Sequence, residues 1–304
     1  MKNRIMNITK ITVILAIIYI PVISAQGIHE FSVDAGLGSS TLRYQLSQGS
    51  RSGGFGGDFG VGYTYFRARE RVTGTEKIFR EQWGIHTGLG IGLYNASANL
   101  NSVTTVYKNL NDGDNTVDKK YQEFELNSTL TSYKETQKTV YLNIPVMALF
   151  QIEQIYVMGG LKFGIPVSGK YSSKDASLTN EGFYPGLGIS VDDLPFAGYD
   201  KIKGKNFEGD LKPGVAVMLA LEAGYKWKIA DNLSVYTGLY FDCGLNNVIK
   251  NDPKAFINYD NQSPKNFTTN SVLSSYTDNK KQSTFTDQTK IMAVGIKLRF
   301  AMEK

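Results

Sequence analysis

The sequence predicts an all-β fold: a transmembrane antiparallel up-and-down β-barrel of eight strands, with short turns on one rim and long loops on the other. Three observations carry this. Segment after segment alternates with a strict period of two, as in IYVMGGLKFGIPVSG, where Ile155, Val157, Leu161, Phe163, Ile165 and Val167 face one way and Tyr156, Met158, Lys162 and Ser168 the other. Short connections alternate with long polar ones. Beyond residue 25 no uninterrupted apolar run reaches the roughly 20 residues of a spanning helix, so a chain that enters lipid must do so as strands.

Residues 1–25 read as a cleaved secretory signal peptide, leaving residues 26–304 as one barrel domain. MKNRIMNITK carries Lys2, Arg4 and Lys10 and no acid, ITVILAIIYIPVI is a short apolar run broken by Pro21, and Ser24-Ala25 supplies small residues before the cut. Without Lys2, Arg4 and Lys10 the 33 basic residues fall to 30 against 28 acidic ones, a balance of +2. That leaves no concentrated basic face, and a nucleic-acid partner is not expected. One cysteine, Cys243, and two histidines, His29 and His86, provide neither a disulfide framework nor zinc-ligand spacing.

The strands follow in order. Residues 31–38 set Phe31, Val33, Ala35 and Leu37 outward against Ser32, Asp34 and glycines. Residues 55–65 set Phe55, Phe59, Val61, Tyr63 and Tyr65 against Asp58, Thr64 and glycines. Residues 83–94 place Trp83, Ile85, Leu89, Ile91 and Leu93 opposite His86 and Tyr94. Residues 140–150 give the apolar row Val140, Leu142, Ile144, Val146, Ala148 and Phe150, and residues 155–168 the row quoted above. Residues 215–229 oppose Val215 through Trp227 to Glu222, Lys226 and Lys228. Residues 233–245 oppose Leu233, Val235, Leu239, Phe241 and Cys243 to Tyr236, Tyr240 and Asp242, and residues 290–300 oppose Met292 through Phe300 to Lys297 and Arg299.

Turns near 72–75, 151–154 and 230–232 are short, whereas 95–138, 173–210 and 246–286 read as long loops, with room in 95–138 for an extra hairpin that would make ten strands. Threaded this way, Phe31, Tyr63, Tyr65, Trp83, Phe150, Tyr225, Trp227 and Phe300 form an outward belt near the short-turn rim, and Phe55, Phe163 and Phe241 an opposite one. A soluble β-sandwich would bury the same apolar rows, but its other face would then be built from glycines and charges, and its long edges would be open.

With the leader, the eight alternating segments, LEAGYKWKIADNLSVYTGLYFDCGLNN and the closing AVGIKLRF, the chain resembles the outer-membrane β-barrel proteins of Gram-negative bacteria, in particular small OmpA-type, porin-like barrels without a peptidoglycan-binding domain. The resemblance implies an integral outer-membrane protein with periplasmic turns and extracellular loops. It further implies outer-membrane lipid and the barrel assembly machinery as partners, the latter reading a terminal aromatic for which Phe300 stands, followed here by AMEK.

The inward rows collect Asp34, Asp58, His86, Lys162, Glu222, Lys226, Asp242, Lys297 and Arg299 as a lumen charge network, because eight strands enclose a space that side chains just fill. In the loop DGDNTVDKKYQE, Asp112, Asp114, Thr116, Asp118 and Glu123 match a calcium-loop template, although Val117 stands where the template uses glycine. No catalytic set and no cofactor site are expected. The leading function is a non-enzymatic barrel that anchors surface loops for structural or binding roles toward an unidentified extracellular ligand. The alternatives are a small porin-like channel and an outer-membrane enzyme with a rim site.

Overall fold

The computed structural model describes residues 27–73, 77–108, 125–195, 199–249, 252–260, 263–277 and 283–304. The leader and the calcium-loop candidate, Asp112 to Glu123, lie outside them. The described residues form thirteen strands: β1 (Ile28–Arg43), β2 (Ser50–Gly53), β3 (Phe55–Thr73), β4 (Lys77–Lys108), β5 (Glu125–Ile152), β6 (Ile155–Tyr184), β7 (Ile189–Val191), β8 (Lys201–Asp210), β9 (Ala216–Ala230), β10 (Leu233–Gly244), β11 (Ile257–Asp260), β12 (Ser263–Thr269) and β13 (Lys290–Glu303).

Eleven of these make one antiparallel sheet. Pairing runs from β1 to β3, β4, β5, β6, β9, β10 and β13, and β13 pairs with β1 again, so the sheet closes on itself. Closure leaves the long strands without a free edge. The short strands β2, β7 and β8 attach to β4 and β6, and β11 and β12 pair as a separate hairpin.

The expected count of eight strands therefore falls short of the thirteen described, and the stretches read as loops contain much of the difference. β4 runs on to Lys108 and β5 begins at Glu125, β6 continues to Tyr184, and β8 occupies the end of 173–210. The reason is an inversion of polarity. From the short-turn rim up to Val140, apolar side chains face out: Val33, Val61, Ile91, Leu221 and Ile296 are exposed to a degree that only an apolar solvent tolerates in such numbers. Above that level the inward side chains are the apolar ones, with Tyr94, Ala96, Ala98 and Leu100 on β4, Leu126, Leu130 and Tyr133 on β5, and Ala176 and Leu178 on β6 all buried. Their outward neighbours, such as Asn95, Asn127, Thr129 and Thr131, are polar.

Irregularities mark the change. Ser132 takes a positive φ of 56°, and there the β5–β6 pairing is interrupted between Thr131 and Lys134 with the register kept on both sides. The register between β5 and β6 shifts at Val140/Tyr141, beside Pro166, which has no N–H to give to the ladder. This bulge flips the parity of β6, so Gly169 turns inward and Lys170 outward.

The aromatic belt at the short-turn rim is a set of ring contacts. Phe31 meets Tyr63 at 5.3 Å, Trp83 meets Phe150 at 4.4 Å, and Tyr225 meets Trp227 at 4.5 Å. The Trp227 indole N–H donates to Thr237 Oγ1 at 2.9 Å. Amphipathic rings with one wet end suit a lipid–water interface.

Candidate functional site: the filled barrel interior

The lower interior is built in tiers. At the short-turn rim Lys226 Nζ, from β9, donates to Glu30 of β1 at 3.0 Å and to Glu303 of β13 at 2.8 Å, and the Tyr236 hydroxyl donates to the same Glu30 oxygen at 2.8 Å. Lys226 also lies 5.1 Å from the Tyr236 ring centroid and 5.3 Å from that of Phe66. In the next tier Arg299 Nη2 spans both Glu222 oxygens at 2.8 and 2.9 Å, and the Tyr156 hydroxyl donates to Glu222 Oε1 at 2.8 Å. Arg299 is only 1% exposed, and its guanidinium stands 5.5 Å from the Tyr236 ring.

Above that, Lys297 Nζ sits 3.0 Å from both Asp34 Oδ1 and Asp58 Oδ2 and 3.9 Å from Glu222, and Lys162 pairs with Asp242. His86 shares a hydrogen bond of 2.9 Å with the Thr64 hydroxyl. These side chains surround a cavity of about 30 Å³, space for one or two waters, which Asn143 and Tyr240 also line. Small residues make the tiers possible. A Cβ on Gly36 would strike Asp58 Oδ1, and one on Gly238 would strike the Tyr156 hydroxyl.

The barrel thus brings eight of the nine predicted lumen charges into ion pairs, with His86 beside them on a neutral partner. Glu30 and Glu303 were not anticipated. Glu30 continues the inward row Glu30, Ser32, Asp34 one step below the stretch read as a strand, so the period-two pattern contained it.

The upper interior is filled by the chain between β10 and β13. Phe256, Ile257, Phe267, Val272, Leu273 and Phe285 are buried with Leu100, Leu130, Tyr133, Leu178 and Phe207 in one apolar cluster. Phe256 meets Tyr133 at 5.2 Å and Phe285 at 4.8 Å, and Phe207 meets Phe267 at 5.1 Å. One carboxylate ties this segment to the wall. Glu135, fully buried on the inward row of β5 and above the lipid-facing row, accepts from Tyr133 (2.9 Å), Gln137 (2.8 Å), the Ser271 hydroxyl and the backbone N–H of Val272 (3.0 Å). Burial pushes its pKa above the ordinary carboxylate value in spite of the four donors, and burial together with Glu135 pushes Tyr133 well up. Tyr44 donates to Gln137 at 2.9 Å, Tyr171 donates to the Thr269 carbonyl at 2.9 Å, and Arg51 stands 5.7 Å from the Tyr44 ring. Nothing local in the sequence marked Glu135, one acid in the polar run YKETQK.

Among the described residues no cluster of His, Cys, Asp and Glu has the form of a metal site.

A closed antiparallel sheet with an apolar outer band, aromatic belt and polar interior defines a membrane β-barrel. Residues 74–250 match the outer membrane protein beta-barrel domain family, and the chain belongs to it. Its place is the outer membrane. No curated protein matches the chain. Among solved structures it is similar to a major outer membrane protein from Thermus thermophilus, at 16% identity over 91% of this chain and 99% of that one, with a TM-score of 0.28.

Proposed function

We propose that this is a non-enzymatic anchor: a ring of eight strands, β1, β3, β4, β5, β6, β9, β10 and β13, spans the outer membrane and carries a folded extracellular extension for structural or binding roles. The observation that carries this reading is the interior, filled twice over. Paired charges occupy the membrane-level lumen, and an inserted segment packed on Tyr133 and held by Glu135 occupies the level above. A conduction path would have to break both layers, and leaving the Glu222 or Arg299 charge unpaired costs on the order of 3–5 kcal/mol. The two hydroxyl–imidazole pairs among the described residues, His29 with Tyr63 at 2.7 Å near the short-turn rim and His86 with Thr64 in the filled lumen, fit an anchor as structural hydrogen bonds.

Two measurements test it. A peptide tag inserted at Gly188, an exposed turn with a φ of +66° and open space around it, should be bound by antibody on intact cells. Purified protein in planar bilayers should show no stable open state. Binding only after permeabilisation would invert the orientation, and a steady large conductance would replace the anchor with a channel.

A further inference from the structure

Four lysines stand together on the outer wall, just above the apolar band. On β5 the outward apolar row runs from Phe150 up to Val140, and the next outward side chains are Lys138, Thr136 and Lys134. On β6 the row runs from Ile155 to Val167, and after the bulge the outward side chains are Lys170, Ser172 and Lys174. The register sets Lys138 directly across from Lys170 and Lys134 across from Lys174. All four are exposed, and none has an ion-pair or hydrogen-bond partner among the described residues. Their described neighbours are Asn95 and Asn99 on β4 and, on β8, Glu208 and Asp210, and among these side chains two positive charges are in surplus. Arg43 and Lys290 form another basic cross-strand pair, on β1 and β13.

Like charges directly opposite on a sheet repel each other, so two such pairs in succession lower stability unless an anion lies between them. The height of the patch selects the anion. Ten residue steps, from Phe150 to Val140, at about 3.3 Å each and a tilt near 45° cover roughly 25 Å, the full apolar band of an outer-membrane barrel. Lys138 and Lys170 therefore stand at the headgroup level, and Lys134 and Lys174 roughly 9 Å above it.

We propose that Lys134, Lys138, Lys170 and Lys174 form a docking face for phosphate-bearing lipid headgroups of the outer leaflet. This rests on the orientation proposed above, with the long-loop rim outside. Lysine suits the task as a mobile point charge on a long stem, able to reach a phosphate without fixed geometry.

The test uses the full-length barrel in non-ionic detergent, wild type and a variant with Lys134→Gln, Lys138→Gln, Lys170→Gln and Lys174→Gln. A control variant carries Lys201→Gln, Lys228→Gln, Lys254→Gln and Lys304→Gln, the same charge change at exposed sites elsewhere. Melting is followed with added diphosphoryl lipid A, with the same glycolipid stripped of phosphate, and with inorganic phosphate. The expected result is a rise of about 3–5 °C for wild type and control with the phosphorylated lipid and under about 1 °C for the docking-face variant. The stripped lipid and inorganic phosphate should give no rise. In lipid-free detergent the docking-face variant should melt no lower than wild type, because repulsion has been removed. An equal rise in both proteins, a rise with stripped lipid, a rise with inorganic phosphate alone, or a lower melting point without lipid would each overturn the proposal. The tag at Gly188 reads orientation without any lipid, so an inverted barrel and a lysine face with no affinity give different results.

Discussion

The lower and upper interiors of this barrel solve the same problem, filling a tube, by opposite means. Below, where lipid surrounds the wall, the filling is polar and belongs to the wall: Glu30, Asp34, Asp58, Lys162, Glu222, Lys226, Asp242, Lys297 and Arg299 project from the strands and pair across the lumen. Above, where the wall is wet outside, the filling is apolar and comes from a separate segment that has to be inserted. The difference follows from the solvent. A strand presents alternate residues to its two faces, so a face given to lipid leaves the other free for polar groups, and a face given to water leaves the other free for an ordinary core. The lower filling projects from the strands themselves; the upper one is a connecting segment between β10 and β13 packed against them.

That contrast orders the expected effects. The largest belongs to the lower layer: Glu222→Ala strands Arg299 and removes an acceptor from Tyr156, and should cost on the order of 3–5 kcal/mol. It should lower the temperature at which the folded, faster-migrating form is lost by about 10 °C, whereas Asp252→Ala, at an exposed position, should leave it unchanged. Next comes Phe256→Ala in the upper layer. Emptying this aromatic site should cost about 3 kcal/mol of local packing, making residues 252–277 readily cleaved by protease while the melting of the barrel itself stays within a degree or two. A drop as large as that of Glu222→Ala would mean that both layers melt as one unit.

A smaller effect is expected from pH. Because the folded-state pKa of Glu135 is raised, the folded state holds a proton that the unfolded state has released, so the contribution of this site is full in acid and is lost as pH climbs from the ordinary carboxylate value through the raised one. Protease protection of residues 252–277 should therefore decline with rising pH across that window in wild type, and Glu135→Gln should flatten the profile. A wild-type profile that rises instead would show that the four donors outweigh burial. The smallest effect concerns conduction. Replacing 252–286 by a short Gly-Ser linker removes the upper filling, yet conductance should stay near zero because the Arg299–Glu222 and Lys297–Asp34–Asp58 tiers remain.

The same contrast explains what could be read from the sequence. Up to Val140 the lipid forces an apolar row that no local accident imitates, so eight segments, the aromatic belt and most of the inward charges were legible from period two alone. The upper halves of β4, β5 and β6 carry polar Asn, Ser and Thr outside and only moderately apolar residues inside, which resembles loop composition. The parity of β6 beyond Val167 depends on a one-residue bulge that the pattern before it does not announce. The inserted segment was illegible for a stronger reason. Phe256-Ile257, Phe267, Val272-Leu273 and Phe285 are apolar islands of one or two residues in an Asn- and Ser-rich stretch, and their meaning lies in contacts with residues such as Tyr133 and Phe207, far away in sequence.

The continuation of β5 above Val140 also fixes a reach. Residues 125 to 139, at about 3.3 Å per residue and a tilt near 45°, lift the end of that strand roughly 35 Å above the lipid surface. Strands hydrogen-bonded to β4 on one side and β6 on the other form a stiff mast, and Leu187 and Ile189, exposed beside the far end of β6, ride near its top. The carbohydrate that coats a bacterial surface screens anything lying close to the bilayer. On the proposed orientation, with the long-loop rim outside, this mast would carry its tip into that layer and hold a rigid contact well away from the membrane.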